Sequence, residues 1–288
     1  MATVKDFRND VRPNWCPGCG DFSVQASIQR ALAALGKEPH EVAVISGIGC
    51  SGRISGYVNT YGFHGVHGRS LPTAQGVKLA NRDLTVIASG GDGDGFGIGL
   101  NHFMHAVRRN MDITYIVMDN QIYGLTKGQH SPTSAHGFTA KTTPSGNIEN
   151  ALVPSQVALA AGIGFLAQGF SSEVNQLVSL IEQAIQYKGF SLVNVFSPCV
   201  TYNKINTYDF FRDNVFNLEK LEGYDPTDYL TAQKAITEHN GLVTGVIYRN
   251  DNKVAYEDQI PGYQETPVAQ ANLELSEDVF AAALKEYA

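Results

Sequence analysis

Charge is scarce in this chain. Asp, Glu, Lys and Arg make up 17% of 288 residues, below the quarter usual in soluble domains. What charge there is carries no basic excess: the net value is -7, which argues against a nucleic-acid partner. No apolar run reaches the length of a membrane span, and Met1 to Asp10 has no apolar leader core, so a cytoplasmic chain with no membrane partner is expected. There are four cysteines, too few for a disulfide scaffold. No Gly-x-Gly-x-x-Gly follows the first strand candidate, so a Rossmann dinucleotide site is disfavoured. Repeats and low-complexity tracts are absent. Glycine, by contrast, is abundant at 29 residues.

With 43% hydrophobic residues the chain can bury a sizeable core. Candidate strands are Val42–Ser46, Leu84–Ala88, Ile113–Met118, Phe165–Gln168 and Leu192–Phe196. They are rich in Val, Ile and Leu with little polar alternation, as in strands covered on both faces. Helical patterns lie between them, at Val24–Leu35, Ala74–Asn81, Leu100–Arg108, Ser155–Ala161 and Val174–Tyr187. The alternation predicts an α/β fold: a parallel sheet with helices on both faces. The spacing places this domain over residues 1–205. Residues 206–288 read as a C-terminal extension packing on the domain or a partner, with a helix at Thr227–Glu238, a strand at Leu242–Tyr248 and a last helix near Glu277–Tyr287. Residues 121–150 are rich in Gly, Thr, Ser and Pro, and a loop this long inside a domain is usually functional.

Chemistry gathers first at Ser89–Gly95. The strand Leu84–Ala88 runs into Gly91-Asp92-Gly93, with a helix expected directly after it. Backbone N–H groups at such a junction suit a phosphate. A carboxylate beside a phosphate makes a Mg2+ site of hard oxygen ligands. Asp92 comes first after the strand and is the expected metal ligand, with Asp94 behind it near the diphosphate or its water shell. The strand Ile113–Met118 then delivers Asn120, with an amide oxygen, and Ile122, with a backbone carbonyl. A bare Gly-Asp-Gly is often only a turn. The strand before it and the Asn at the next strand end argue otherwise.

The second cluster is Cys16-Pro17-Gly18-Cys19, a C-x-x-C knuckle for one metal or one cluster edge. Structural zinc and a redox disulfide are the competing readings. Cys50 and Cys199 are isolated, and each follows a strand, so all four could converge near the same sheet edge. Arg53 could face a substrate carboxylate, and Lys127 lies in the long loop; either could equally be solvated. His64 and His67 sit in a glycine-flanked stretch before a helix starting near Pro72. His102 and His105 read as helix-surface residues.

From about residue 10 to 210 these motifs resemble one family. Gly91-Asp92-Gly93 with Asn120 is similar to the diphosphate/Mg2+ motif of thiamine diphosphate enzymes. Ser89–Asp94 together with Tyr123-Gly124-Leu125-Thr126-Lys127-Gly128-Gln129 resembles the β subunit of 2-oxoacid:ferredoxin oxidoreductases. The resemblance implies thiamine diphosphate held by Ile48, Gly49, Cys50, Ser51, His67, Gly93, Asp94, Gly124, Leu125 and Thr126. It implies Mg2+ on Asp92, Asn120 and Ile122, and one [4Fe-4S] cluster on Cys16, Cys19, Cys50 and Cys199. His67 is preferred to His64 as the histidine near the cofactor, and with Arg53 and Lys127 forms the catalytic candidates. Coenzyme A is the implied co-substrate, ferredoxin the electron acceptor, and an α subunit the source of the activating Glu, in an (αβ)2 assembly. 2-Oxoglutarate is the favoured substrate, with pyruvate or branched-chain 2-oxoacids as alternatives, and reductive carboxylation as the reverse reaction. A non-oxidative thiamine enzyme and a zinc-knuckle interaction module are the readings from other classes.

Overall fold

The computed structural model describes residues 2–261, 263 and 266–287. Its frame is an eight-stranded sheet. The strands are β1 (Val42–Ser46), β2 (Tyr61–His64), β3 (Thr85–Gly91), β4 (Ile113–Asp119), β5 (Phe165–Phe170), β6 (Phe190–Phe196), β7 (Phe216–Asn217) and β8 (Val243–Arg249). Their order across the sheet is β2-β1-β3-β4-β6-β5-β8-β7. The pairings are parallel except β5 with β8.

Successive side chains of a strand point to opposite faces, and here both faces are covered. Ala43, Ile45, Val86, Ala88, Tyr115 and Val117 share one core with α2 (Ser70–Ala80), α3 (Leu100–Arg109), α4 (Pro154–Ala160) and α7 (Tyr229–Glu238). Val42, Val44, Ile87, Ile116 and Met118 share the other with α1 (Asp21–Ala34) and α5 (Val174–Gln186). That is why these strands lack polar alternation: neither face meets water.

The expected strands and helices are present, with ends shifted by a few residues. Three elements differ. β2 is a strand although the sequence reads as a glycine-flanked loop; all four of its residues are exposed, so no burial pattern marks it. The expected helix after Gly91-Asp92-Gly93 is instead a wide π-helical turn, Gly93–Ile98, broken at Gly97 before α3 begins. Gly99 N–H reaches back to the Asp94 carbonyl at 3.1 Å, the five-residue reach of a π turn. The irregular stretch after residue 200 contains a short helix, α6 (Tyr208–Asn214). Phe211 of α6 stacks on Phe196 at 4.6 Å, over the ends of β5 and β6.

Beyond α6, β8 continues the main sheet along β5, so residues 216–249 are built into the same frame. Glu257 accepts from Asp112 N–H at 3.2 Å. The last helix, α8 (Glu277–Lys285), buries no residue. No helix among the described residues is long and apolar enough to cross a membrane.

A buried cation closes the opposite edge of the sheet from the strand ends that carry the motifs. Lys78 of α2 is 4% exposed. Its Nζ lies 2.8 Å from Asp112 and donates to the carbonyls of Arg82 and Leu84 at 2.9 Å each. Burial pushes the Asp112 carboxyl up, but the charges and hydrogen bonds of Lys78 and Lys188 outweigh it and hold it below the usual range. Removing Lys78 leaves Asp112 with Lys188 alone and takes the donor from the Arg82 and Leu84 carbonyls. K78M is therefore expected to destabilise the chain by about 3 kcal/mol, read as a lower urea midpoint; an unchanged midpoint would contradict this account.

Candidate functional site

β1, β3, β4 and β6 are parallel, so their C-terminal ends emerge on one side. There the chain delivers Gly47–Cys50, Asp92, Asn120 and Ser197–Cys199. A cavity of about 420 Å³ opens between them. The ten residues that the resemblance assigns to the cofactor, from Ile48 to Thr126, all line this one cavity, and so do Asp92, Asn120 and Ile122. Gln129 and His130, not among the candidates, line it as well. Arg53 and Lys127 are exposed and lie outside its lining. His64 is held away from it by the Gly52 carbonyl at 2.6 Å.

Asp92 is 1% exposed. Its Oδ2 accepts from Ser131 Oγ at 2.5 Å and from Thr133 Oγ1 at 2.6 Å. Thr133 also donates to Asp119 at 3.1 Å. A hydroxyl has one proton, so Thr133 serves one carboxylate at a time. Burial raises the Asp92 carboxyl. Burial, then the neighbouring Asp92, pushes Asp119 up to about 8. Two buried carboxylates this close are costly without a cation, so the corner fits a divalent ion. Ser131 and Thr133 escape a sequence reading because the loop that carries them has no periodicity; the available signal is the hydroxyl-rich run Ser131-Pro132-Thr133-Ser134.

Asp94 lines the cavity and also braces its wall. Its Oδ1 accepts from Ile48 N–H at 2.8 Å, Gly68 N–H at 2.8 Å and His67 Nδ1 at 3.0 Å. It thus ties the loop after β1 to the His67 loop. With the proton on Nδ1 toward Asp94, His67 keeps Nε2 as an acceptor. The glycines here are matters of space. A Cβ at Gly47 would strike the Asp94 carboxylate, and one at Gly93 would strike the Tyr123 ring.

The four cysteine segments are tied together beside the cavity. Cys19 N–H closes the knuckle on the Cys16 carbonyl at 3.0 Å, with Gly18 left-handed at φ 84°. Trp15 Nε1 donates to the Cys50 carbonyl at 2.7 Å. Gly20 N–H meets the Pro198 carbonyl at 3.4 Å, which brings the knuckle against the Ser197–Cys199 turn. Gly124 sits between Cys50 and Cys199: a Cβ there would lie 3.6 Å from each sulfur, so the two sulfurs are at most twice that far apart. Burial, then Asp21, then Cys199 and Cys16 push the Cys50 thiol up to about 11. Burial, then Asp21, then Cys199 and Cys50 raise Cys19. Thiols that oppose each other's ionisation need positive charge among them to become ligands. Among the described residues, no three of His, Cys, Asp and Glu converge as on a single metal ion. Asp21 is buried, accepts from Ser197 Oγ at 2.7 Å, and leaves Oδ2 without a donor.

A strand-end cavity with two buried carboxylates on a parallel sheet defines a class, and comparison with known proteins agrees. Residues 47–195 match the family described as thiamine pyrophosphate enzyme, C-terminal TPP binding domain. Residues 199–265 match the family described as the C terminal of the pyruvate ferredoxin oxidoreductase beta subunit. The chain is 40% identical over 94% of its length to 2-oxoacid:ferredoxin oxidoreductase 2, subunit beta, of Aeropyrum pernix, covering 92% of that protein. It is 39% identical over 82% of its length to the 2-oxoglutarate synthase subunit KorB of Archaeoglobus fulgidus, covering 91% of it. Among solved structures, 2-oxoglutarate:ferredoxin oxidoreductase from Magnetococcus marinus, with 2-oxoglutarate, coenzyme A and succinyl-CoA bound, superposes with a TM-score of 0.86 at 42% identity, covering 89% of this chain and 88% of that one. The chain carries a thiamine pyrophosphate-binding domain. It belongs to the β subunits of the 2-oxoacid:ferredoxin oxidoreductases, which implies an α subunit as its partner.

Removing both hydroxyls that grip Asp92 (S131A with T133V) leaves a buried carboxylate without its donors. Thiamine diphosphate binding at fixed Mg2+, measured by calorimetry on the assembled complex, is expected to weaken roughly 10- to 100-fold. Unchanged affinity would show that the hydroxyls only fill space.

Proposed function

We propose that this chain is the anchor half of a 2-oxoglutarate:ferredoxin oxidoreductase. The observation that carries the reading is the placement of one loop: Gly124 lines the strand-end cavity and also lies beside two cysteine sulfurs. When bound, thiamine diphosphate supplies the electron-sink chemistry of 2-oxoacid decarboxylation, and a [4Fe-4S] cluster supplies a one-electron relay.

Asp92, the Asn120 side chain and the Ile122 carbonyl would hold Mg2+ with the diphosphate. Ser131 and Thr133 fix the Asp92 rotamer, so the cation meets a preset oxygen. Ile48, Gly49 and Ser51 shape one wall, and Gly93, Leu125 and Thr126 another. His67, oriented by Asp94, offers an acceptor nitrogen to whatever occupies the cavity. Cys16, Cys19, Cys50 and Cys199 would hold the cluster. Their segments are tied to one another by the Trp15–Cys50 and Gly20–Pro198 hydrogen bonds, which supports one shared cluster.

The names of the relatives, not Arg53, support 2-oxoglutarate. Arg53 is exposed and outside the cavity lining, so its placement lends no support to the distal-carboxylate role. The Magnetococcus structure binds 2-oxoglutarate and coenzyme A at 42% identity. A broader 2-oxoacid range is the second reading, favoured by the Aeropyrum relative's name. Coenzyme A takes the acyl group and ferredoxin the electrons; reductive carboxylation is the same reaction reversed. We assign residues 1–205 to the cofactor unit and residues 206–288 to an extension bound to it. The α subunit supplies the activating Glu, in an (αβ)2 assembly within a reducing cytoplasm.

Co-purified with its α subunit under anaerobic conditions, the chain is expected to support viologen reduction with 2-oxoglutarate and coenzyme A. kcat/KM for 2-oxoglutarate should exceed that for pyruvate by about tenfold or more, and the chain alone should be inactive. Activity of the isolated chain, or preference for pyruvate, would contradict the reading.

A further inference from the structure

Asp21 has no part in the chemistry described so far. It opens α1, two residues after Cys19, and is completely buried. Its place is fixed by its neighbours. Gly20 N–H meets the Pro198 carbonyl at 3.4 Å. A Cβ at Gly20 would lie 2.5 Å from Ser197 Oγ and 2.7 Å from Ser171 Oγ, so only glycine lets the start of α1 come this close to the turn that carries Cys199. On the other side of Cys19, Tyr208 Oη donates to the Gly18 carbonyl at 3.1 Å.

An acid in the first turn of a helix ordinarily offsets the helix dipole from the surface, in contact with water. Asp21 has no such contact. Its Oδ1 accepts from Ser197 Oγ at 2.7 Å, and its Oδ2 has no donor. A buried carboxylate with an unused oxygen costs stability, and a helix start alone does not require one. What surrounds Asp21 is the cysteine nest. After burial, it is the group that most raises both the Cys19 and the Cys50 thiols, which come from different segments. Asp92 acts on it in turn, so its charge is felt between the metal corner and the thiols.

We propose that Asp21 is a positioning residue for the electron step: its carboxylate, locked among the cysteines, lowers the reduction potential of the [4Fe-4S] cluster they hold. The inference rests on the cluster reading above. Reduction adds one electron to the cluster and makes or breaks no bond. That electron arrives beside a negative charge in surroundings that screen it poorly, which raises the reduced state relative to the oxidised one. The cluster then gives its electron more readily to an acceptor of low potential. The Ser197 hydroxyl and the N-terminal amides of α1 stabilise the charged form of the carboxylate.

The test uses the anaerobically assembled complex with α subunit and two variants: D21N, which keeps the side chain's shape, and D21S, which shortens it. Iron, acid-labile sulfide and thiamine diphosphate affinity should match the parent complex. In a redox titration followed by electron paramagnetic resonance, both variants are expected to show a higher midpoint. At the parent's midpoint, their ratio of reduced to oxidised cluster should rise about tenfold, which is about 59 mV for one electron. An unchanged or lower midpoint in variants that keep their iron overturns the proposal. Loss of iron and sulfide from both variants also overturns it, by making Asp21 part of the scaffold. If the parent complex itself contains no iron or sulfide, the cluster reading fails, and this inference falls with it.

Discussion

The grip of Ser131 and Thr133 on Asp92 is the contact on which the rest of the site depends. It joins the end of β3 to a loop that has almost no regular structure of its own. Through Thr133 it reaches Asp119, which also accepts from the Asn194 amide at 3.2 Å. The same amide donates to the Gln168 side-chain oxygen at 3.0 Å. Gln168 donates to the carbonyls of Gly241 and Val243 at 2.6 and 2.7 Å. One chain of buried polar groups thus runs from the metal corner to β8. Such a network repays its desolvation best when every member is satisfied; here Asn194 Oδ1 has no donor, and the carboxylate pair at its head would be completed by the proposed cation.

This arrangement explains why the loop 121–150 needs no helix or strand. Its backbone is fixed by side chains: Ser134 Oγ donates to the Gln121 carbonyl at 2.7 Å, and Asn147 donates to the Ser134 and Ala135 carbonyls. Fixing the loop fixes Gly124, which lines the cavity and lies beside the Cys50 and Cys199 sulfurs. The π turn at Gly93–Ile98 serves the same end. It leaves Asp94 room to fold back onto Ile48, Gly68 and His67, so that the loops after β1 and β2 share one carboxylate.

Much of this is legible in the sequence. The buried strands announce themselves by unbroken Val, Ile and Leu, because a helix layer covers each face. Asp92, Asn120, Cys50 and Cys199 stand out because they follow strands whose direction is common, and Cys16 and Cys19 because of their C-x-x-C spacing. What escapes lacks a burial signal or a period. β2 is exposed on all its residues; α6 is a helix of only seven residues; Ser131 and Thr133 look like any polar loop. The π turn reads as a helix start because glycine content does not encode how tightly a turn is wound. Arg53 and Lys127 are candidates by charge alone, and charge does not say where a side chain sits relative to a cavity wall.

The chain emerges as a thiamine pyrophosphate-binding β subunit whose strand-end cavity is lined by Gly124 and Cys50, with Cys199 beside the same glycine. The measurement that tests this most directly is iron, acid-labile sulfide and zinc analysis of the anaerobically purified complex. The account predicts one [4Fe-4S] cluster's worth of iron and sulfide for each copy of this chain, lost on substituting Cys50 or Cys199 by serine. One zinc per chain with no sulfide would contradict it.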